Sequence, residues 1–269
     1  MEDFYYRPFK GTYKYYVKYR PEVPKEVIQI IVDHFRLRIT DRVLDIGCGT
    51  GQVARALEGK CREVMNVDID PEMLRWAEKI TRSCKTKLTW LNCKAEDLME
   101  FKKKLGIFKI ATCSRAFHHM NQEKVLENLD KLIEKNGGVA LFSDRALWNG
   151  KRGWQKILKE IVEKYSNKIK SSSKERFYKT SNALWENVLR RSVFKKVKTY
   201  EISVVRKWDI QHIIGYLLST SVCAPLLFGN KIDDFKEDIR KTLFSLNPKG
   251  VFQEKAVWSV VLGARKEKK

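Results

Sequence analysis

The chain has 269 residues and a formal net charge of +21, from 54 Lys and Arg against 33 Asp and Glu. That length allows one large α/β domain or one domain carrying a smaller insertion. A hydrophobic content of 43% with seven Trp, ten Tyr and thirteen Phe excludes a disordered chain.

Val27–Phe35 is apolar at helical spacing, and Arg42–Ile46 reads as a short buried strand ending in a glycine-rich turn. Gln52–Leu57 starts a helix and Glu63–Asp68 is a second strand. Asp70-Pro71-Glu72 then opens a helix, with Asp70 as N-cap and Pro71 at the first position. Leu88–Leu91, Phe108–Cys113 and Gly138–Ser143 are the third, fourth and fifth strands, with a helix at Lys124–Glu134 between the last two. Beyond Ser143 the rhythm changes. Trp154–Tyr165 reads as a helix, broken by Ser171-Ser172-Ser173, and Leu184–Arg191 as another. A strand at Phe194–Val204 follows, then helices at Asp209–Leu218 and Asp233–Leu246, then a last strand at Ala256–Ala264.

Alternating strands and helices predict an α/β fold, a Rossmann-like, mostly parallel sheet with helices on both faces. The two C-terminal strands form an antiparallel pair. The predicted catalytic core is 1–145 with 181–206 and 249–269. The segments 146–180 and 207–248 are helical lid insertions over the carboxyl edge of the sheet, where ligands of such folds bind. Trp148, Trp154 and Trp208 line this lid or form its core.

The strongest local signal is Asp45-Ile46-Gly47-Cys48-Gly49-Thr50-Gly51, between a strand and a helix. Glycines let the backbone pass close to a ligand. Asp45, just before them, is placed to hold an ammonium group. A second acid, Asp68, closes the next strand where ribose hydroxyls are bound in such folds. A dinucleotide fingerprint has GxGxxG, whereas the third glycine here comes one residue early.

The stretch Val43–Gly51 resembles the first motif of class I S-adenosylmethionine-dependent methyltransferases, in particular the small-molecule group that includes ubiquinone/menaquinone and trans-aconitate methyltransferases. Asn66–Leu74 is similar to the family's second motif and Lys94–Leu98 to its adenine-binding segment. Ala116-Phe117-His118-His119-Met120 follows the fourth strand as in many members, and Tyr16–Pro21 resembles an N-terminal YxxYRP that folds over the cofactor. The resemblance covers residues 16 to about 145 and implies S-adenosyl-L-methionine as cofactor and S-adenosyl-L-homocysteine as product. It places Asp45 and the turn of Gly47, Cys48, Gly49 and Gly51 at the methionine end, Asp68 at the ribose and Ile69 against the adenine, with Gln52 and Met73 as further cofactor contacts. Ala95 and Glu96 read the adenine edge, Ser114 and Arg115 stand near the sulfonium, and Tyr16, Tyr19 and Arg20 close the site. Lys94 stands where the family has a small or acidic residue.

Methyl transfer is an in-line displacement from a good leaving group, so alignment carries most of the catalysis. A base is needed only if the nucleophile must lose a proton. His118 is the candidate base or substrate contact. The expected acceptor is a small molecule, anionic or carboxylate-bearing if the basic lid attracts it. The alternative is RNA, for which the net charge speaks. The basic residues are scattered with no arginine-rich tract, as on a solvated surface, and no RNA-binding module is recognisable. A third alternative is a cofactor-binding protein without catalysis.

No apolar run approaches the roughly 18 residues of a membrane span. Met1-Glu2-Asp3-Phe4 lacks the basic start and apolar stretch of a signal peptide. The six cysteines form no CxxC pair and do not cluster with the four histidines, which predicts reduced thiols, no metal and a cytoplasmic protein.

Overall fold

A computed structural model describes residues 9–168 and 182–265. These residues separate into two compact units. The first comprises Glu22–Asp144, the stretch from helix Asn182–Arg191 to Ile202, and Trp258 onward; the second comprises residues up to Pro21, the stretch from Arg145, and Ser203–Val257.

In chain order the elements are α1 (Tyr13–Tyr19), α2 (Lys25–Phe35), β1 (Arg42–Ile46), α3 (Gln52–Ala56), β2 (Glu63–Asp68), α4 (Pro71–Ile80) and β3 (Lys87–Asn92). Then come α5 (Lys102–Leu105), β4 (Phe108–Ser114), α6 (Gln122–Asp130), β5 (Ile133–Asp144), α7 (Gly153–Lys168) and α8 (Asn182–Arg191). The last are β6 (Lys196–Asp209), α9 (Ile210–Leu218), α10 (Ile232–Leu246) and β7 (Val251–Ala264). A seven-residue 3-10 helix runs through Ala95–Phe101 and a single 3-10 turn through Phe117–His119.

One sheet runs β3-β2-β1-β4-β5-β7-β6. The pairs β1/β2, β1/β4, β2/β3 and β4/β5 are parallel, the mostly parallel sheet expected from the sequence; β5/β7 is antiparallel, and β6, the partner expected for the last strand, lies beside β7 at the edge. The strand order reverses between β1 and β4, and ligands of open α/β sheets bind outside the carboxyl ends at such a reversal. Every residue of β2 is buried, so its side chains pack on both faces. The core beneath includes Leu44, Ile46, Val67, Phe108, Phe117 and Leu141.

Local chemistry sets the helix starts. The Asp70 carboxylate accepts from the Glu72 amide at 2.9 Å with Pro71 behind it, and Asp209 accepts from the His212 amide at 2.7 Å. The second unit has its own core, built from Trp148, Leu158, Trp208, Ile213, Phe235 and Leu243 among others.

Several expected boundaries move. The fifth strand starts at Ile133 rather than Gly138. The helix predicted to Glu134 ends at Asp130, because Phe108 donates to the Leu132 carbonyl at 2.9 Å and Ile133 pairs with Phe108 in the sheet. The strand predicted at Phe194–Val204 runs from Lys196 to Asp209, and the last strand starts at Val251 rather than Ala256. Inward-facing Glu254 interrupts the apolar pattern of that strand; Trp208 Nε1 donates to it at 2.8 Å. The predicted break at Ser171–Ser173 lies outside the described residues. Among the described residues no helix is long and apolar enough to cross a membrane. All six cysteines are free thiols.

At Gly138 a Cβ would stand 2.3 Å from the Gly263 carbonyl oxygen and 2.4 Å from the Phe35 ring. Gly138→Ala is expected to lower the unfolding free energy by about 2–3 kcal/mol. Urea denaturation measures it, and a variant as stable as the parent would contradict the packing described.

Candidate cofactor site

The site starts from β1, whose apolar residues anchor the strand and deliver Asp45 to its carboxyl end. The chain then turns through Gly47, Gly49 and Gly51, at φ of 65°, 53° and 75°. A side chain at Gly47 would meet Ala116 at 2.5 Å, so the turn needs both the left-handed backbone and the missing Cβ. Cys48 donates its amide to Val67, and the Gly51 amide donates back to Cys48, both at 3.0 Å.

Asp45 is wholly buried. Its Oδ1 accepts from Thr112 Oγ1 at 2.7 Å, and its Oδ2 has no partner among the described residues. Burial pushes its carboxyl up to about 7; the Thr112 hydrogen bond works against this and the charge of Asp68 works with it. A buried carboxylate with one open oxygen suits a cation at that oxygen.

Asp68 is held by the turn itself. The Gly49 amide donates to Oδ2 at 2.7 Å and the Asp70 amide to Oδ1 at 2.9 Å. Burial raises its carboxyl to about 6 against the pull of those two amides. Asn92 Nδ2 donates to the carbonyls of Asp68 and Ile69, both at 2.9 Å, and fixes the peptide after β2. Each carboxylate oxygen keeps a second lone pair for a hydroxyl.

At the end of β4, Arg115 takes a φ of 59°, a conformation non-glycine residues rarely adopt. Its guanidinium is buried. Nε donates to Asp144 Oδ1 at 2.6 Å, Nη1 donates to Gln52 Oε1 at 3.2 Å, and the group lies 4.5 Å from the Trp258 ring centroid. The cluster ties the ends of β4 and β5 and the middle of β7 to the first residue after the glycine turn. Ser114 Oγ is buried with no partner among the described residues.

The structure brings Asp45, Gly47–Gln52, Asp68, Ile69, Ser114 and Arg115 to the carboxyl ends of β1, β2 and β4. Met73 is on the buried face of α4, and Cys48 is buried with its thiol pushed well up by desolvation. The Ala95 and Glu96 carbonyls accept from Asn128 Nδ2 at 3.2 and 2.9 Å. The Glu96 carboxylate accepts from the Asn121 amide at 2.7 Å. His118 is half-buried, its ring centroid 4.1 Å from that of His119. Tyr16, Tyr19 and Arg20 belong to the second unit, where Arg20 lies over Tyr16 and Tyr216 and Tyr19 meets His212 edge-on.

Sequence reasoning missed Thr112, Asp144 and Trp258. Thr112 carried a signal, a polar residue inside an apolar strand. Asp144 and Trp258 carried none, because they meet Arg115 only through strand register.

A family described as "Methyltransferase domain" matches residues 43–137, the stretch holding the glycine turn, Asp68 and β4. Residues 43–137 are thus similar to a methyltransferase domain. It is 25% identical over 163 residues to an uncharacterised methyltransferase-like protein of Schizosaccharomyces pombe, covering 59% of each chain. It is 28% identical over 130 residues to a Saccharomyces cerevisiae protein described as a probable S-adenosylmethionine-dependent methyltransferase, covering 48% of this chain and 44% of that one. The chain thus spans less than two thirds of the length of these relatives. Among solved structures, a Thiobacillus denitrificans SAM-dependent methyltransferase in complex with S-adenosyl-L-homocysteine has the same fold, at 14% identity and a TM-score of 0.51 over 97% of this chain and 98% of that one. A Haemonchus contortus phosphoethanolamine N-methyltransferase 2 complex aligns with a TM-score of 0.56 at 15% identity, over 96% of this chain and 57% of that one.

The Arg115–Asp144 pair is nearly inaccessible, with side chains 4% and 1% exposed. Asp144→Ala strands a buried guanidinium and is expected to cost about 3–5 kcal/mol. The double variant Arg115→Met/Asp144→Leu, which removes both charges, is expected to recover most of that loss. Denaturant unfolding of the three proteins checks this, and a stable Asp144→Ala protein would contradict it.

Proposed function

We propose that the protein is a methyltransferase that carries a methyl group from S-adenosyl-L-methionine to a small-molecule acceptor, anionic or carboxylate-bearing. The observation that carries the cofactor half of this reading is the open Oδ2 of buried Asp45 beside the glycine turn. The cofactor's methionine end has an ammonium group to pair with it. When bound, the cofactor supplies a methyl on a sulfonium, an electrophile with a good leaving group.

The chain's own residues then bind and align. Asp45 and the Gly47–Gly51 turn hold the ammonium end, and the lone pairs left on Asp68 accept the ribose hydroxyls. Ile69 and Met73 lie toward the adenine, whose edge meets Ala95 and Glu96. Ser114 offers its unpartnered hydroxyl near the sulfonium end. Arg115 acts there through Gln52, holding the first residue after the turn. His118, after β4, is the candidate to accept a proton from the acceptor or to contact it. Alignment of acceptor and methyl in line contributes on the order of 7–11 kcal/mol to such reactions. For the acceptor, the support is the basic charge without a basic tract or nucleic-acid module.

Methyl-labelled S-adenosylmethionine added to a host extract, then fractionated, tests the whole reading. Label is expected in the small-molecule pool and is expected to vanish with Asp45→Asn. Label in the RNA fraction would overturn the acceptor assignment, and full activity of Asp45→Asn would overturn the site.

The proton on Asp45 adds a pH signature. Below its raised value of about 7 the carboxyl is neutral and pairs poorly with an ammonium. S-adenosylhomocysteine affinity is therefore expected to rise about tenfold from pH 6 to pH 8 and to level off above. Asp45→Asn should flatten the profile at weak affinity. A parent profile that falls over this range would contradict the assignment.

A further inference from the structure

Within the second unit, α1, α9, α10 and the turn before β7 enclose an open cavity of about 520 Å3. That volume is in the range of small-molecule sites. Its floor is apolar: Ile210, Ile214 and Leu218 of α9 line it and are buried. Tyr15 and Tyr19, their rings stacked at 6.4 Å, border it on one side. Phe244 borders it as well and remains 46% exposed, an aromatic face the protein itself does not cover.

Two glycines shape these walls. At Gly215 a Cβ would strike the Tyr19 ring at 2.2 Å, so α1 reaches α9 only because that residue is glycine. Gly250, at a φ of 64°, turns the chain beside Phe244 and carries Lys249 to the rim.

The charge of the lining is lopsided. Lys236 and Arg240, one helical turn apart on α10, and Lys249 from the following turn all line the cavity. The acid in the lining is Asp209, already committed to the amide and ring of His212, both at 2.7 Å. Lys236 pairs with Asp233 at 2.9 Å and Arg240 with Glu237 at 2.6 Å, both three residues away on the same helix. Such exposed local pairs contribute about 0–1 kcal/mol and exchange readily for a better-placed anion. Lys249 has no ion pair among the described residues.

We infer that this groove binds a small anionic amphiphile, a carboxylate on an apolar or aromatic body. The carboxylate meets Arg240, Lys236 and Lys249, and the body lies along Ile210, Ile214 and Phe244. A guanidinium flanked by two ammonium groups suits a compact anion. The apolar floor suits a hydrocarbon body and offers nothing to a bare inorganic ion. The site lies wholly in the second unit, so the inference stands whether or not the chain transfers methyl groups.

Titration calorimetry on the full chain tests it with decanoate, decan-1-ol, inorganic phosphate and a uridine decanucleotide as probes. Decanoate is expected to bind about tenfold or more tightly than decan-1-ol or phosphate, and to weaken as salt is raised. Arg240→Gln/Lys249→Gln is expected to lose about tenfold in decanoate affinity with an unchanged melting temperature, the loss of charge-assisted contacts. Lys241→Gln, on the same helix and outside the lining, should leave binding intact. No decanoate binding at millimolar concentration would overturn the inference, as would equal binding of decan-1-ol. So would an equal loss in Lys241→Gln, or decanucleotide binding through Arg240 and Lys249 without decanoate binding, which would make the groove a nucleic-acid surface.

Discussion

The carboxylate of Asp45 sits in a fully buried position with one hydrogen bond among the described residues, and the rest of the candidate site is arranged around that constraint. An acid in such a place costs free energy, and burial has moved its titration to about 7. The position is the end of β1, where the strand order reverses, and the partner strand supplies Thr112 to steady one oxygen. The other oxygen has no partner among the described residues, and in the proposed reading it meets the ammonium group of the cofactor. Asp45 leads directly into a turn whose glycines leave the backbone bare.

Around this acid the structure spends hydrogen bonds on fixing backbone rather than on neutralising charge. Asp68 is positioned by the amides of Gly49 and Asp70, so the glycine turn and the end of β2 form one rigid piece. Arg115, in its left-handed conformation, does the same for the other side. Its ion pair with Asp144 and its contacts with Gln52 and Trp258 join four segments in one buried cluster. A buried ion pair is weak evidence for stability; a geometric role for this one is consistent with its place behind the turn.

Much of this was legible before the structure. The alternation of strands and helices, the turn at Gly47–Gly51 and the acids at Asp45 and Asp68 are local patterns. Local chemistry put them at strand ends. Asp70 and Pro71 announced α4 for the same reason. What stayed hidden depends on register between distant segments. Thr112 reaches Asp45 across 67 residues and Asp144 reaches Arg115 across 29, and neither separation leaves a mark on composition. The true start of β7 was masked by Glu254, an acid facing inward because Trp208 and Arg206 donate to it. The grouping of α1 with α9 turns on Gly215, which as a lone glycine in an apolar helix reads as nothing more than a tolerated defect.

The proton count on ligand binding tests the role of Asp45 most directly. Calorimetric titration of S-adenosylhomocysteine at pH 6, repeated in buffers of different ionisation enthalpy, reads how many protons leave the protein. An ammonium docking on a carboxyl that titrates near 7 must displace its proton, so release of close to one proton is predicted, falling away above pH 8 and absent in Asp45→Asn. Binding with no proton release in the parent protein at pH 6, or the same release in Asp45→Asn, would contradict the account.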